Sequence, residues 1–391
     1  MSSDRTVLVY RNELLPISET FIKEQVLSLR KWRAVLIGLK AVNQLPLDDL
    51  TVRVLGADNP GLLSRLAWKT FQLTGTIPPR IKRILDAEGA SLVHAHFGID
   101  ALDAWPLARA LNVPMLVTLH GYDINIYREW WEAGEAGFRA RFYPRLLLGL
   151  AKKPQVRFLA VSEAIRHRAI EFGIPADKVF VRYIGIDSTK FSPGPTQISK
   201  RPPRVLFVGR LVEKKGCQYL VEAMADVQRK IRMAELVVVG DGPLRATLEQ
   251  LARARGTNVK FRGVLSNQDV KRELDAARVF CLPSITAENG DAEGLPISIL
   301  EAQASGIPVI TSARGGVGEA VKDNETGLVF GERDSPKLAI QLLKILTSDD
   351  LADRISNASV AMIASCFSHQ LLSPRLEALY DEISGTSAAR S

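Results

Sequence analysis

The chain has 391 residues, 46% hydrophobic and 24% charged, with a formal net charge of +8. That length exceeds what one hydrophobic core fills, so two domains are expected. No apolar run approaches the roughly 18 residues that span a bilayer, and three scattered cysteines exclude a disulfide framework or a CxxC metal site.

The opening MSSDRTVLVYRNELL lacks the basic, apolar and cleavage regions of a secretory leader, which predicts a reducing, cytoplasmic setting. Residues 1–200 hold 27 Lys and Arg against 19 Asp and Glu, a surplus of 8, while the remainder balances at 24 against 24. A basic half implies an anionic partner. Zinc-finger, RNP and helix-turn-helix signatures are missing, so nucleic acid is not expected, and a membrane surface or a phosphorylated substrate remains.

In chain order, apolar runs at 6–10, 34–39, 91–97, 114–120, 157–162 and 178–185 alternate with helical segments. Continuous Val, Ile and Leu runs bounded by Gly or Pro predict parallel strands covered on both faces. Ser18, in LLPISETFIKEQ, is expected to cap the helix after the first strand. His94 and His96 are expected on opposite faces of their strand, without a metal role. His120 closes the fourth run ahead of Gly121, at a strand's carboxyl end, where ligands of such sheets sit. It either bonds a sugar hydroxyl or phosphate, moves a proton, or is satisfied by neighbouring backbone. Residues 126–157 interleave Trp130, Trp131, Phe138, Phe142 and Tyr143 with Arg139, Arg141, Arg145, Lys152 and Lys153. That pattern suits a membrane interface, and equally a helix with one buried face.

Four prolines in FSPGPTQISKRPPR (191–204) mark a linker, and a second set of runs follows at 204–209, 235–240, 259–263, 278–284 and 307–312. The reading is α/β: two Rossmann-like, doubly wound parallel-sheet domains facing across a cleft, over 1–195 and 196–368, with a helical tail over 369–391. In VGRLVEKKG (208–216), Gly209 ends a strand, and Arg210 and Lys215 either bracket a diphosphate or form a solvated basic loop. In GDGP (240–243), Gly240 and Gly242 begin a dinucleotide fingerprint, but Arg245 stands at the third glycine position, against a nicotinamide site. In GDAEGLPISILEAQASGIPVI (290–310), Pro296 opens a helix whose first amides, Gly294 to Ile297, suit phosphate. Glu301 lies about five residues in, roughly 7 Å along the axis, placed for a ribose. Glu293 precedes the helix, on the side of whatever the nucleotide carries.

Together with ISETFI, AHFG (95–98), HGYD (120–123) and VSEAI (161–165), these stretches resemble glycosyltransferase family 4, the retaining transferases of the GT-B fold. They look closest to its bacterial exopolysaccharide and colanic-acid branch. The resemblance covers nearly the whole chain. It implies that Arg210 and Lys215 neutralise the departing diphosphate, that Glu301 holds the ribose, and that Glu293 with the Gly294 and Leu295 amides orients the donor sugar and phosphates. Gly209, Gly240 and Pro296 join that donor site, the Val264–Leu265 backbone lines the base pocket, and His120 contacts sugar or phosphate. Ser18, His96 and Asp123 fall on the acceptor side. The implied reaction needs no metal and no cofactor beyond a UDP- or GDP-sugar donor. It moves a hexose to a glycan or lipid-diphosphate-linked acceptor in the cytoplasm, with the basic N-terminal half touching the inner membrane face. The segment 369–383 matches the family's helix that crosses back to the first domain. A hydrolysing nucleotide-sugar epimerase of the same fold and a non-catalytic nucleotide-sugar-binding protein are the alternatives. Two departures stand out: Leu15-Pro16-Ile17-Ser18 where many relatives carry a glycine pair, and Ile184-Gly185 in place of Asn-Gly.

Overall fold

A computed structural model describes residues 5–42, 45–56, 70–71, 74–312 and 314–388. The chain forms two compact units, Met1–Gly185 with His369–Ser391, and Ile186–Ser368.

In the first unit the described strands are β1 (Thr6–Leu14), β2 (Arg33–Ala41), β3 (Thr51–Val54), β4 (Ala90–His96), β5 (Met115–Leu119), β6 (Val156–Ala160) and β7 (Val179–Val181). They lie in the order β3-β2-β1-β4-β5-β6-β7, every pair parallel. The second unit has β8 (Arg204–Val208), β9 (Glu235–Val239), β10 (Val259–Gly263), β11 (Val279–Leu282), β12 (Val309–Thr311) and β13 (Leu328–Val329). Their order is β10-β9-β8-β11-β12-β13, again parallel. Strand order reverses between β1 and β4 and between β8 and β11. In sheets of this kind the connections leave a reversal toward opposite faces, which makes the carboxyl ends at that point the expected ligand position.

Helices on both faces explain the unbroken apolar runs: Val7, Leu8, Val9 and Tyr10 of β1 are all buried, whichever way they point. The two strands without a predicted run sit at sheet edges. β3 alternates exposed and half-buried residues, and β13 has two residues. Edge strands are covered on fewer sides and so lack the continuous hydrophobic signal.

Helix His369–Ala388 packs on the first unit's sheet, with Leu376, Leu379, Tyr380 and Ile383 in one cluster with Val7, Val9, Leu36, Leu92 and Leu116. Its buried Glu377 accepts hydrogen bonds from three successive backbone amides, Arg30 at 2.8 Å, Lys31 at 2.5 Å and Trp32 at 3.1 Å. Asp381 accepts from the Trp32 indole at 3.0 Å. The helix begins against Gly185, where a Cβ would lie 2.4 Å from the His369 ring.

Candidate active site

At the β8/β11 reversal the carboxyl end of β8 runs through Gly209 and Arg210 into a short 3-10 turn, Glu213–Lys215, and then helix Cys217–Lys230. Gly216 joins turn to helix with φ +62, and a Cβ there would lie 1.9 Å from the Pro283 carbonyl oxygen beyond β11. Only glycine lets the two loops touch at that point. The contact is fastened by Ile285 N–H donating to the Lys214 carbonyl at 2.8 Å.

That approach brings the loop's lysines onto acids of the β11 segment. The Lys215 ammonium lies 2.7 Å from Glu293 Oε1, which also accepts from Ser284 Oγ at 3.0 Å. Lys214 pairs with Asp291 at 3.0 Å. Glu293 is buried, and burial pushes its carboxyl up. Lys215, Lys214 and the bonds from Lys215 and Ser284 outweigh that and hold it below the usual carboxylate range. For Asp291 the balance goes the other way: burial prevails over Lys214 and the carboxyl is raised. Arg210 is exposed, and its guanidinium has no hydrogen-bond or ion-pair partner among the described residues.

Gly294, Leu295 and Pro296 are buried and lead from Glu293 into helix Ile297–Ala304, with Pro296 at the N-cap. The sequence reading put Pro296 inside the helix; it stands one residue ahead, its φ of −68 already suited to the start. The first-turn amides of this helix lack intrahelical partners and carry the positive end of its dipole. Glu301 is half-buried on the same helix, one turn from its end. Neither acid of the pair is turned out to bulk solvent.

The loop after β9 contains Gly240 and Gly242. A Cβ on Gly240 would lie 2.0 Å from Gly209 O, and one on Gly242 2.5 Å from Leu211 O. Backbone of the neighbouring loop fills the space these glycines leave. Arg245, at the third fingerprint position, is held by Glu249 at 2.7 Å and lies over Phe261. Beyond β10, Val264 is 51% exposed and Leu265 half-buried.

In the first unit, β5 delivers His120 half-buried, its ring 4.4 Å from that of Phe97 and 5.2 Å from that of Phe21. Its Nε2 is 3.0 Å from Nδ1 of the buried His96. His94 bridges the Tyr380 hydroxyl and Thr118 Oγ1, both at 2.6 Å. The His94 and His96 rings stack at 4.5 Å. The expectation of opposite faces was therefore wrong: strand side chains alternate, so residues two apart share a face. Burial lowers all three imidazoles, His94 to about 3, with neighbouring His and Arg11 charges adding to the effect at His96 and His120. At neutral pH they are uncharged and act through hydrogen bonds.

Asp123 holds the His120 turn together. Its carboxylate accepts from Gly98 N–H at 2.8 Å, Gly121 N–H at 3.0 Å and His120 N–H at 3.1 Å. Burial raises this carboxyl against the pull of those amides. Asp123→Ala is expected to strand three amides and cost about 2–3 kcal/mol in urea unfolding, with Asp123→Asn, which keeps an acceptor, costing less.

Ser18 does not cap a helix. Pro16 starts a 3-10 turn, Ile17–Glu19, closed by Glu19 N–H to Pro16 O at 2.8 Å, and the α-helix begins at Thr20 with no side-chain cap. Ser18 lies exposed inside that turn.

The same turn carries a group that sequence reasoning missed. Buried Arg11 bonds Glu19 through Nε at 2.8 Å and Nη2 at 2.5 Å, and Asp100 through Nη1. Asp100 also accepts from Asn12 N–H at 2.7 Å, and burial pushes its carboxyl up to about 6 despite Arg11. Arg11 lies over the Phe97 ring at 4.5 Å. Leu15 (φ +41) and Phe97 (φ +70) adopt left-handed φ without being glycine, one on each side of the β1/β4 reversal. Such strain persists where surrounding structure enforces it, and it clusters at functional sites. Leu15 takes this conformation in the loop where the family resemblance implies a glycine pair. The polar Arg11-Asn12 pair that breaks the apolar run of β1 was the available signal.

The profile described as glycosyl transferases group 1 matches residues 188–361, and that of glycosyltransferase family 4 matches residues 48–190. The amylovoran biosynthesis glycosyltransferase AmsK of Erwinia amylovora is 33% identical over 261 residues, 66% of this chain and 61% of that protein. The putative colanic acid biosynthesis glycosyltransferase WcaL of Escherichia coli K12 is 32% identical over 225 residues, 56% of this chain and 55% of that protein. The matched stretches thus span less than two thirds of these two relatives. Among solved structures, Anabaena HepE in complex with UDP and glucose superposes with a TM-score of 0.78 at 19% identity, covering 97% of this chain and 100% of that one.

Proposed function

The chain belongs to glycosyltransferase family 4, with the GT-B fold, and on that premise we propose that it moves a hexose from a nucleotide diphosphate sugar to a hydroxyl acceptor. The acceptor is a glycan or lipid-diphosphate-linked oligosaccharide of bacterial polysaccharide synthesis, a class supported by the roles named for AmsK and WcaL. The enzyme works in the cytoplasm, at the inner face of the cell membrane.

One observation carries the reading: the pair of half-buried Lys215 and buried Glu293 at the β8/β11 reversal, beside the amino end of helix Ile297–Ala304. An anionic diphosphate there meets the helix amides, the unpartnered Arg210 and Lys215, charges fixed before the reaction begins. Val264 and Leu265 line the base, Glu301 takes the ribose hydroxyls, and ionised Glu293 accepts hydrogen bonds from the hexose. The bond from the anomeric carbon to the diphosphate breaks as the bond to the acceptor oxygen forms on the same face, so configuration is retained. The acceptor's proton passes to the departing phosphate. Arg210 and Lys215 take the charge-neutralising role a divalent ion plays in other transferases, so no metal is required. Neutral His120 bonds a sugar hydroxyl, with His96 and the Asp123-held turn behind it and Ser18 on the acceptor side.

The test is a panel of UDP- and GDP-sugars, scored for thermal stabilisation and for slow donor hydrolysis with and without EDTA. Stabilisation by one nucleotide series and hydrolysis that EDTA leaves intact are expected. If no donor shifts melting at about millimolar concentration, far above ordinary donor affinities, the assignment fails. Release of an epimerised free sugar would favour the epimerase, and binding without any turnover a sensor.

A further inference from the structure

We propose that residues 138–153 form a docking surface for an anionic phospholipid bilayer. From Phe138 to Arg157 the sequence holds six Lys and Arg and no Asp or Glu. Helix Tyr143–Ala151 buries Tyr143, Leu147, Leu150 and Ala151 on its inner side. Its outer side continues a ridge of residues four apart: Phe138 is 74% exposed, Phe142 44% and Leu146 51%. Phe138 and Phe142 meet edge to face at 5.7 Å, with the Arg141 guanidinium 5.8 and 6.0 Å from their ring centres.

Arg141 and Arg145, also four apart, flank that ridge, and Lys152 and Lys153 close it; all four are exposed. None of these four has an acidic partner among the described residues. Water is a poor medium for this composition. Apolar rings held outward lose burial, and a run of cations without acids repels itself. Both penalties are relieved at one kind of surface, where the rings enter the boundary of the acyl chains and the cations meet anionic headgroups. A purely acidic protein partner would leave the rings wet, and a neutral bilayer would leave the cations unmatched.

The inference names the partner of the membrane-face reading above and rests on that reading only for which leaflet is met. Its test is sedimentation of the full chain with vesicles of phosphatidylcholine containing about a third phosphatidylglycerol, against phosphatidylcholine alone, at low and high salt. Binding to the anionic vesicles that salt weakens is expected. Arg141→Gln with Arg145→Gln should weaken it about 30-fold, and Phe138→Ser with Phe142→Ser about tenfold or more. All variants should keep the native melting temperature and nucleotide-sugar binding in solution. A wild-type chain left in the supernatant, equal binding to neutral vesicles, or variants that sediment unchanged would overturn the proposal. So would self-association without lipid that the Phe variants abolish, which would assign the ridge to a second copy. Loss of donor binding in the native chain would instead count against the transferase reading and leave this surface standing.

Discussion

Lys215→Ala is expected to lower turnover by about 10²- to 10³-fold and to destabilise the protein by about 3–5 kcal/mol. Both effects have one source. Lys215 supplies a fixed positive charge for the leaving diphosphate, and it is also the 2.7 Å partner of a buried carboxylate. Removing it leaves Glu293 with the single side-chain bond from Ser284 and the more distant Lys214. The pH dependence follows with a definite sign. In the native chain the Glu293 carboxyl is held below its ordinary value. Its stabilising contribution is therefore complete above the unfolded carboxyl's pKa and lost as pH falls through the lower folded value. In Lys215→Ala burial dominates, the carboxyl rises above its ordinary value, and the variant gains stability as acid neutralises it. The stability gap between the two proteins thus narrows on acidification, which urea unfolding across the acid range will read. Adding Glu293→Gln to Lys215→Ala should restore much of the stability and none of the turnover. Restored turnover in that double variant would remove Lys215 from the chemistry.

Gly216→Val is expected to cost about 4 kcal/mol or more and to abolish donor binding. The residue combines φ +62 with a would-be Cβ 1.9 Å from a backbone carbonyl at Pro283. The strained φ alone costs about 1 kcal/mol. The remainder is steric: the two loops must part, and parting them draws Lys214 and Lys215 away from Asp291 and Glu293. Gly89 provides the control, since it has φ +60 and nothing within 4 Å of a Cβ. Gly89→Ala should therefore lower stability by about 1 kcal/mol, with donor binding unchanged. Comparable losses at the two positions in thermal melts would show that the close approach carries no weight.

These residues also show how far the sequence could be read. Strands covered on both faces announce themselves as unbroken apolar runs, which is why β1 and β8 were plain and the edge strands β3 and β13 were not. The basic loop at 208–216 and the acids at 293 and 301 were legible because chain spacing, glycines and charge all lie in short windows. What joins them, Lys215 against Glu293, spans 78 positions and depends on the contact at Gly216. The Arg11–Asp100 pair spans 89 positions and leaves no local trace beyond a polar residue interrupting a strand's apolar run. Ser18 misled because a hydroxyl in a plausible capping position says nothing about the 3-10 turn that Pro16 starts. His94 and His96 misled through misapplied strand periodicity, not through any lack of signal.

The carboxylate of Glu377, closing the amides of Arg30, Lys31 and Trp32, has a consequence for biogenesis. The first unit is closed by a segment the ribosome makes only after all of Ile186–Ser368, whereas Ile186–Ser368 is uninterrupted in the chain. The nascent amino-terminal half must wait, with three amides and part of one sheet face open, until helix His369–Ala388 has been made. Maturation therefore runs against the direction of synthesis, and the downstream unit is the first able to finish.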